Sequence, residues 1–176
     1  MRIRPATLLD RDAVLDLYLA AFPEAERETV AAVAVDLLSE SSTPESFALV
    51  AEADGVPVGH ISFSPVSCGD ADKFVGVVLA PLAVHPEFQK QGIGARLVEA
   101  GMQRLSELGV GIVFVYGDPS YYGRFGFDAD IAARYVPPYP LQYPFGWQAK
   151  ALTDVGRSPS SGKLTCVAAL QDPQLW

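Results

Sequence analysis

The chain has 176 residues, a formal net charge of −8, 49% hydrophobic residues and 19% charged ones. The length suits one domain over 1–176 with a substantial core, and the balance excludes a disordered chain. The acidity argues against general nucleic-acid binding, which needs a basic face to displace phosphate counterions, and is compatible with a cationic small molecule or a basic peptide.

Ile3 to Ala6 reads as a short first strand. Thr7 and Asp10 stand three apart, as a capping box requires, ahead of a helix on which Val14, Leu17, Tyr18 and Ala21 share one face. Pro23 ends that helix. A second helix is predicted from about Glu24 to Leu38, with Val30, Val33, Ala34 and Leu37 inward, and Ser39 to Ser46 is a polar loop. Two strands, Phe47–Ala53 and Val58–Ser64, are joined through Asp54-Gly55, a pair that tolerates positive φ and suits a tight hairpin.

A further strand covers Phe74 to Val84. Its apolar run from Val75 is too short to cross a bilayer and is broken by Pro81, so no membrane association is expected. Gly92 to Leu108 is predicted helical, with Ile93, Leu97, Val98, Met102, Leu105 and Leu108 as the buried stripe and Gly109 as the stop. Ile112 to Tyr116 is another strand, and the order strand, helix, strand makes it parallel to Phe74–Val84. Gly117 to Phe127 holds one short helix and a turn. Arg134 to Trp147 is rich in proline and aromatic residues, and Lys163 to Leu170 is a last strand.

No apolar segment follows the basic residues of Met1 to Pro5, so no secretory signal is expected. Cys68 and Cys166 form neither a disulfide framework nor a CxxC site. They read as buried free thiols in a reducing compartment, with the cytoplasm as the expected location. No His, Cys, Asp or Glu cluster has metal-ligand spacing, so no metal is expected.

The segment that carries chemistry runs from Leu82 to Leu97. A strand ends at Val84, a loop follows, and Gly92 and Gly94 open a strongly periodic helix. The first turn of a helix leaves backbone N–H groups without partners, and glycine there lets a bulky anion approach, which is the geometry of a pyrophosphate site. The helix dipole adds about 0.3–1 kcal/mol, and each hydrogen bond to a charged oxygen adds roughly 1.5–3 kcal/mol, so the amides do most of the holding. A P-loop would need Lys-Ser or Lys-Thr after its last glycine, where Ala95-Arg96 stands. A dinucleotide fingerprint would need a third glycine near Leu97 and an acidic residue about 20 positions on. Neither is present.

Gln89-Lys90-Gln91-Gly92-Ile93-Gly94 resembles the coenzyme A motif of the GNAT superfamily of N-acetyltransferases, and the preceding Leu-Ala-Val-His-Pro is similar to its usual lead-in. The opening Ile-Arg-Pro-Ala-Thr and the helix after it also resemble the superfamily. Tyr122-Gly123-Arg124-Phe125-Gly126-Phe127 is similar to its later Tyr-x-x-x-Gly-Phe motif, in the Gly-Asp-Pro-x-Tyr-Tyr-x-Arg-Phe-Gly-Phe version of a subfamily of predicted bacterial acetyltransferases. The resemblance covers about residues 2–130.

It implies an α/β (α+β) fold, a mixed sheet of about seven strands with helices on both faces, splayed between two parallel central strands. Pro81 suits such a splay independently, since it cannot donate a ladder hydrogen bond. The resemblance also implies acetyl-CoA as co-substrate, its pantetheine along Leu82, Ala83 and Val84, and its pyrophosphate on the amides of Gln89, Lys90, Gln91, Gly92, Ile93, Gly94 and Ala95. Tyr122 aligns with the tyrosine that serves the departing thiolate as general acid. The Asn common several residues ahead of that tyrosine is missing here, with Asp118-Pro119 nearby instead.

The expected reaction is acetyl transfer from acetyl-CoA to a primary amine of a small molecule or peptide. The alternative is a non-catalytic acyl-CoA-binding sensor. His85 stands where it could help deprotonate an amine, or simply ends its strand before Pro86. His60 alternates with apolar neighbours, and Glu24 and Glu26 lie between the first two helices, where the superfamily often forms its acceptor pocket. The Tyr135–Pro140 stretch contains PxxP, read here as a fixed loop on the acceptor side with Trp147 beneath it. A homodimer is left open.

Overall fold

Alternating apolar residues build eight strands into one mixed sheet, seen in a computed structural model that describes residues 1–69, 72–154 and 161–176. The strands are β1 (Arg2–Pro5), β2 (Phe47–Ala53), β3 (Val56–Cys68), β4 (Lys73–Val84), β5 (Ile112–Tyr116), β6 (Tyr135–Val136), β7 (Trp147–Ala151) and β8 (Gly162–Cys166). The main order is β1-β2-β3-β4-β5-β7, antiparallel except for the β4–β5 pair. β8 takes the stretch Val66–Cys68 of β3, beyond the part that β2 pairs, and β6 runs parallel to β8.

Helices cover both faces, as the family resemblance implies. α3 (Ile93–Glu107) packs Leu97, Val98, Met102 and Leu105 on Leu49, Ile61, Phe63, Leu79 and Val113. On the other face α1 (Arg11–Ala21) and α2 (Arg27–Leu37) cover Val50, Val78, Ala83 and Phe114. The period-two alternation of each strand divides these sets, odd positions of β5 to α3 and even ones to α2. No helix among the described residues is long and apolar enough to cross a membrane.

Local signals explain most boundaries. Asp54 and Gly55 both have positive φ (51° and 81°), the signature of the tight hairpin joining β2 to β3. The capping box is present: the Leu9 N–H donates to the Thr7 hydroxyl, and Asp10 Oδ2 accepts from the Thr7 N–H at 2.8 Å. Asp10 does more than cap. Arg4 grips it and Glu52 together, each at 2.7 Å, which ties β1, β2 and the start of α1, and the guanidinium holds Asp10 down to about 2.

Several expectations need correction. α2 begins at Arg27, with Glu24 to Glu26 in the preceding turn. β3 extends well past Ser64, to Cys68. Leu108 is the C-cap of α3 and is 64% exposed, because the helix ends before its side chain reaches the core stripe. Cys68 is only half-buried, unlike Cys166. The last strand stops at Cys166, and Ala168–Leu170 form a 3-10 turn. The Pro-rich stretch contains β6 and ends on β7, both missed. Trp147 opens β7, stacks on Phe114 at 5.4 Å and donates its indole N–H to the Tyr135 carbonyl at 2.9 Å.

Candidate active site

The parallel pairing of β4 with β5 covers only Val77, Val78 and Leu79. Just beyond it, Leu79 pairs Phe63 and Leu82 pairs Ile61, so Ala80 and Pro81 together face the single residue Ser62. That is a bulge, which bends its strand and breaks the ladder. The two central strands therefore part. Tyr116 at the end of β5 pairs with Trp147 of β7 and leaves β4 without a partner on that side.

The His85 N–H donates to Val58 at 2.9 Å, which fixes His85 and Ala83 as the residues whose backbone bonds to β3. Leu82 and Val84 therefore turn their backbone groups into the gap. Ala83 does not: its backbone faces β3 and its side chain is buried under α1. Of the three strand residues expected at the site, two are aimed at it. The Val84 carbonyl already accepts from the Gln89 side chain at 3.0 Å, which ties the following loop to the strand end.

That loop turns sharply through two left-handed residues, Lys90 (φ 60°) and Gly92 (φ 78°). Gly92 is the N-cap of α3 and supplies no side-chain cap. The first helical hydrogen bond runs from the Arg96 N–H to the Gly92 carbonyl at 3.1 Å, so the N–H groups of Ile93, Gly94 and Ala95 point out of the helix without intrahelical partners. Such a row of amides at a helix start suits an anion. Gln91 lies apart from that row, its side chain donating to the Glu87 carbonyl at 3.2 Å.

The two glycines serve different ends. Gly92 has open space around it and is required by its φ. Gly94 instead allows a close approach, since a Cβ there would lie 2.5 Å from the Tyr121 hydroxyl and push the end of that side chain aside. Tyr121 thus stands over the mouth of α3, with the Arg124 guanidinium 4.1 Å above its ring. Their place at this helix start was not legible in the sequence, because only the folded chain brings the two motifs together.

Tyr122 ends α4 (Pro119–Tyr122), a short helix capped by Asp118, whose carboxylate accepts from the Ser120 N–H at 2.8 Å. Its ring packs edge-on to Phe127 at 5.8 Å and lies flush against Gly117, where any Cβ would collide with it. Burial, with Tyr121 beside it, pushes the phenol above its ordinary range. Its hydroxyl has no hydrogen-bond partner among the described residues. Tyr122 faces Leu79 to Leu82 and Tyr116 across a cavity of about 300 Å³, which occupies the gap between the parted strands.

The two histidines fall outside this chemistry. His60 is fully buried, its Nδ1 within 2.9 Å of the Tyr18 hydroxyl, and desolvation lowers it to about 3, so it is neutral. His85 uses Nδ1 to cap the turn Pro86–Phe88, accepting weakly from the Glu87 N–H at 3.4 Å. Among the described residues no group of three or more His, Cys, Asp or Glu is placed to hold a metal ion.

Known proteins share this fold. The profile of the acetyltransferase (GNAT) family matches residues 11–127. The N-acetyltransferase YjhQ of Escherichia coli is 37% identical over 121 residues, covering 66% of this chain and 67% of YjhQ. YhbS of the same organism is 43% identical over 82 residues, 46% of this chain and 48% of its own length. The crystal structure of YhbS in complex with CoA superposes with a TM-score of 0.84 at 27% identity, over 97% of this chain and 92% of that one. An acetyltransferase from Brucella melitensis in complex with acetyl-CoA gives 0.75 at 29% identity, over 97% of both chains. With its parallel β4–β5 pair parting beside the glycine-capped start of α3, the chain belongs to the GNAT family and is an N-acetyltransferase.

Proposed function

We propose that the chain, as one domain over 1–176, transfers the acetyl group of acetyl-CoA to a primary amine. The observation that carries this is the juxtaposition of three features. The outward amides of Ile93, Gly94 and Ala95 suit the pyrophosphate. The backbone groups of Leu82 and the N–H of Val84, without ladder partners among the described residues, suit the amides of a pantetheine arm. The Tyr122 hydroxyl, without a partner of its own, faces the gap where that arm would end. Lys90 and Gln89 shape the loop between them. The complexes of YhbS with CoA and of the Brucella protein with acetyl-CoA support the same reading.

In this reading the amine attacks the thioester carbonyl carbon, a C–N bond forms and the C–S bond breaks. Tyr122 donates a hydrogen bond to the leaving sulfur as charge builds on it. The phenol has an ordinary pKa of about 10 and a thiol about 8.5, so full proton transfer from Tyr122 would be uphill by roughly 2 kcal/mol. Burial of Tyr122 raises that cost. Stabilisation by hydrogen bonding is therefore its larger contribution, and the proton lost by the attacking nitrogen finally restores the thiol.

The test has two steps. Calorimetry with acetyl-CoA should show one site per chain, and free thiol should then appear when amines are added. Absence of binding would overturn the reading. Binding without thiol release from any amine would instead identify an acyl-CoA sensor.

A further inference from the structure

Resting on the acetyl-transfer reading above, we infer that the acceptor is a cationic amine carried on an aromatic or apolar body and bearing no anionic group, its ammonium held by Glu26 on the way in and giving one proton to bulk water before the nitrogen attacks as the neutral amine. The cavity that Tyr122 lines does not end at the parted strands. It shares Glu26, Val30, Tyr116 and Trp176 with an outer chamber of about 550 Å³. The inner chamber is about 300 Å³. Both lie within the range of small-molecule sites. Glu26 belongs to both, standing at the junction between the space beside Tyr122 and the way in.

The charges along this route have one sign. Among the described residues, Glu26 and Asp118 are the only carboxylate side chains that line the two chambers, and no Lys, Arg or His lines either. Asp118 is committed: its two oxygens accept from the Ser120 N–H and hydroxyl, each at 2.8 Å, and these bonds hold it ionised. Glu26 is the N-cap residue of α2, its N–H donating to the Pro23 carbonyl and its own carbonyl accepting from Val30, but its carboxylate makes no capping bond and has no hydrogen bond or ion pair among the described residues. It is the carboxylate free to meet a ligand. An acceptor carrying a carboxylate or phosphate would meet two like charges and no counter-charge, whereas an ammonium meets a partner.

The walls are aromatic. Tyr116 and Trp176 stack at 6.4 Å with their planes 11° apart, and Tyr143 and Phe145 form the outer rim, 52% and 67% exposed. The walls so formed offer apolar ring surface to an aromatic body, and aromatic faces attract a cation. Large aromatic side chains left in solvent around a cavity mark a surface that something apolar covers.

The test uses matched pairs that differ by one carboxylate: 2-phenylethylamine against phenylalanine, and tryptamine against tryptophan. Thiol release is followed with acetyl-CoA saturating. kcat/KM for each amine should exceed that of its amino acid by at least about 100-fold. Glu26→Gln should raise KM for the amines about tenfold or more and shrink that ratio, with acetyl-CoA affinity and melting temperature unchanged. Equal use of the amino acids, or no turnover of either aromatic amine by a protein that binds acetyl-CoA and acetylates another amine, would overturn the inference while leaving acetyl transfer standing. An unaltered KM in Glu26→Gln would do the same for the role of Glu26. Failure to bind acetyl-CoA at all would instead strike the underlying reading.

Discussion

Tyr122→Phe removes one hydroxyl and keeps the ring in its packing against Phe127 and Gly117. A hydrogen bond to a charged group is worth about 1.5–3 kcal/mol, and each factor of ten in rate corresponds to about 1.4 kcal/mol. Burial raises the Tyr122 pKa, which weakens it as a proton donor outright and leaves the hydrogen bond as the main effect. The expected fall in kcat is therefore about 10- to 10²-fold, at or below the low end of the span for a general acid. Affinity for acetyl-CoA should hold, because the hydroxyl acts only as charge develops on sulfur. Stability should hold as well, since the hydroxyl bonds to no other group among the described residues. Single-turnover thiol release and calorimetric melting on one preparation separate the terms. A full rate in the variant would refute the assignment, and a rate loss matched by a lower melting temperature would reduce Tyr122 to packing.

Gly94→Glu should abolish acetyl-CoA binding with the fold retained, because its side chain displaces only the Tyr121 ring end and sets a carboxylate among the outward amides; unchanged affinity by calorimetry would remove the pyrophosphate site from α3. Gly92→Ala should stay folded but lose about 1–2 kcal/mol of stability to its left-handed φ and bind the co-substrate more weakly; denaturant melts and calorimetry read both, and equal or tighter binding would contradict it. His60 titrates at about 3 when folded against about 6.5 unfolded, so the unfolded chain takes up its proton first. Its contribution is whole above about pH 6.5 and declines as pH falls toward 3, by roughly 1.4 kcal/mol per unit at most. His60→Gln should flatten that part of the stability profile relative to the parent chain, and parallel profiles would show that His60 is protonated in the fold.

The elements that periodicity specifies strongly were legible: α3, β5 and the parallel pairing between β4 and β5 all follow from apolar spacing and chain order. β7 was not. Trp147-Gln148-Ala149-Lys150-Ala151 contains no β-branched residue, and it becomes a strand because β5 offers a free edge and Phe114 a partner for Trp147. The reach of β3 to Cys68 was hidden for a similar reason, since its last residues are held by β8, far along the chain. Asp10 was visible as a cap but not as a member of an ion-pair cluster centred on Arg4, because Glu52 reaches Arg4 only once β1 and β2 pair.

The candidate site divides along the same line. Whatever depends on residue type within one stretch could be read directly: a glycine at the helix start, a proline in the strand that parts, a tyrosine at a fixed distance from Gly-Phe. Whatever depends on register could not. Ala83 was grouped with Leu82 and Val84, yet alternation turns its backbone to β3, and only the pairing of His85 with Val58 fixes which residues face the gap. The net charge of −8 misleads in the same way if applied to the site as a whole. Screening confines a charge to about 8 Å at physiological ionic strength, so a pyrophosphate held at α3 as proposed would respond to the amides it touches and not to distant carboxylates. The acidity matters where it lines the path, at Glu26 and Asp118, in chambers to which none of Ile93, Gly94 and Ala95 contributes. One acidic chain can therefore hold a polyanion at one end of the parted strands and draw a cation into the other.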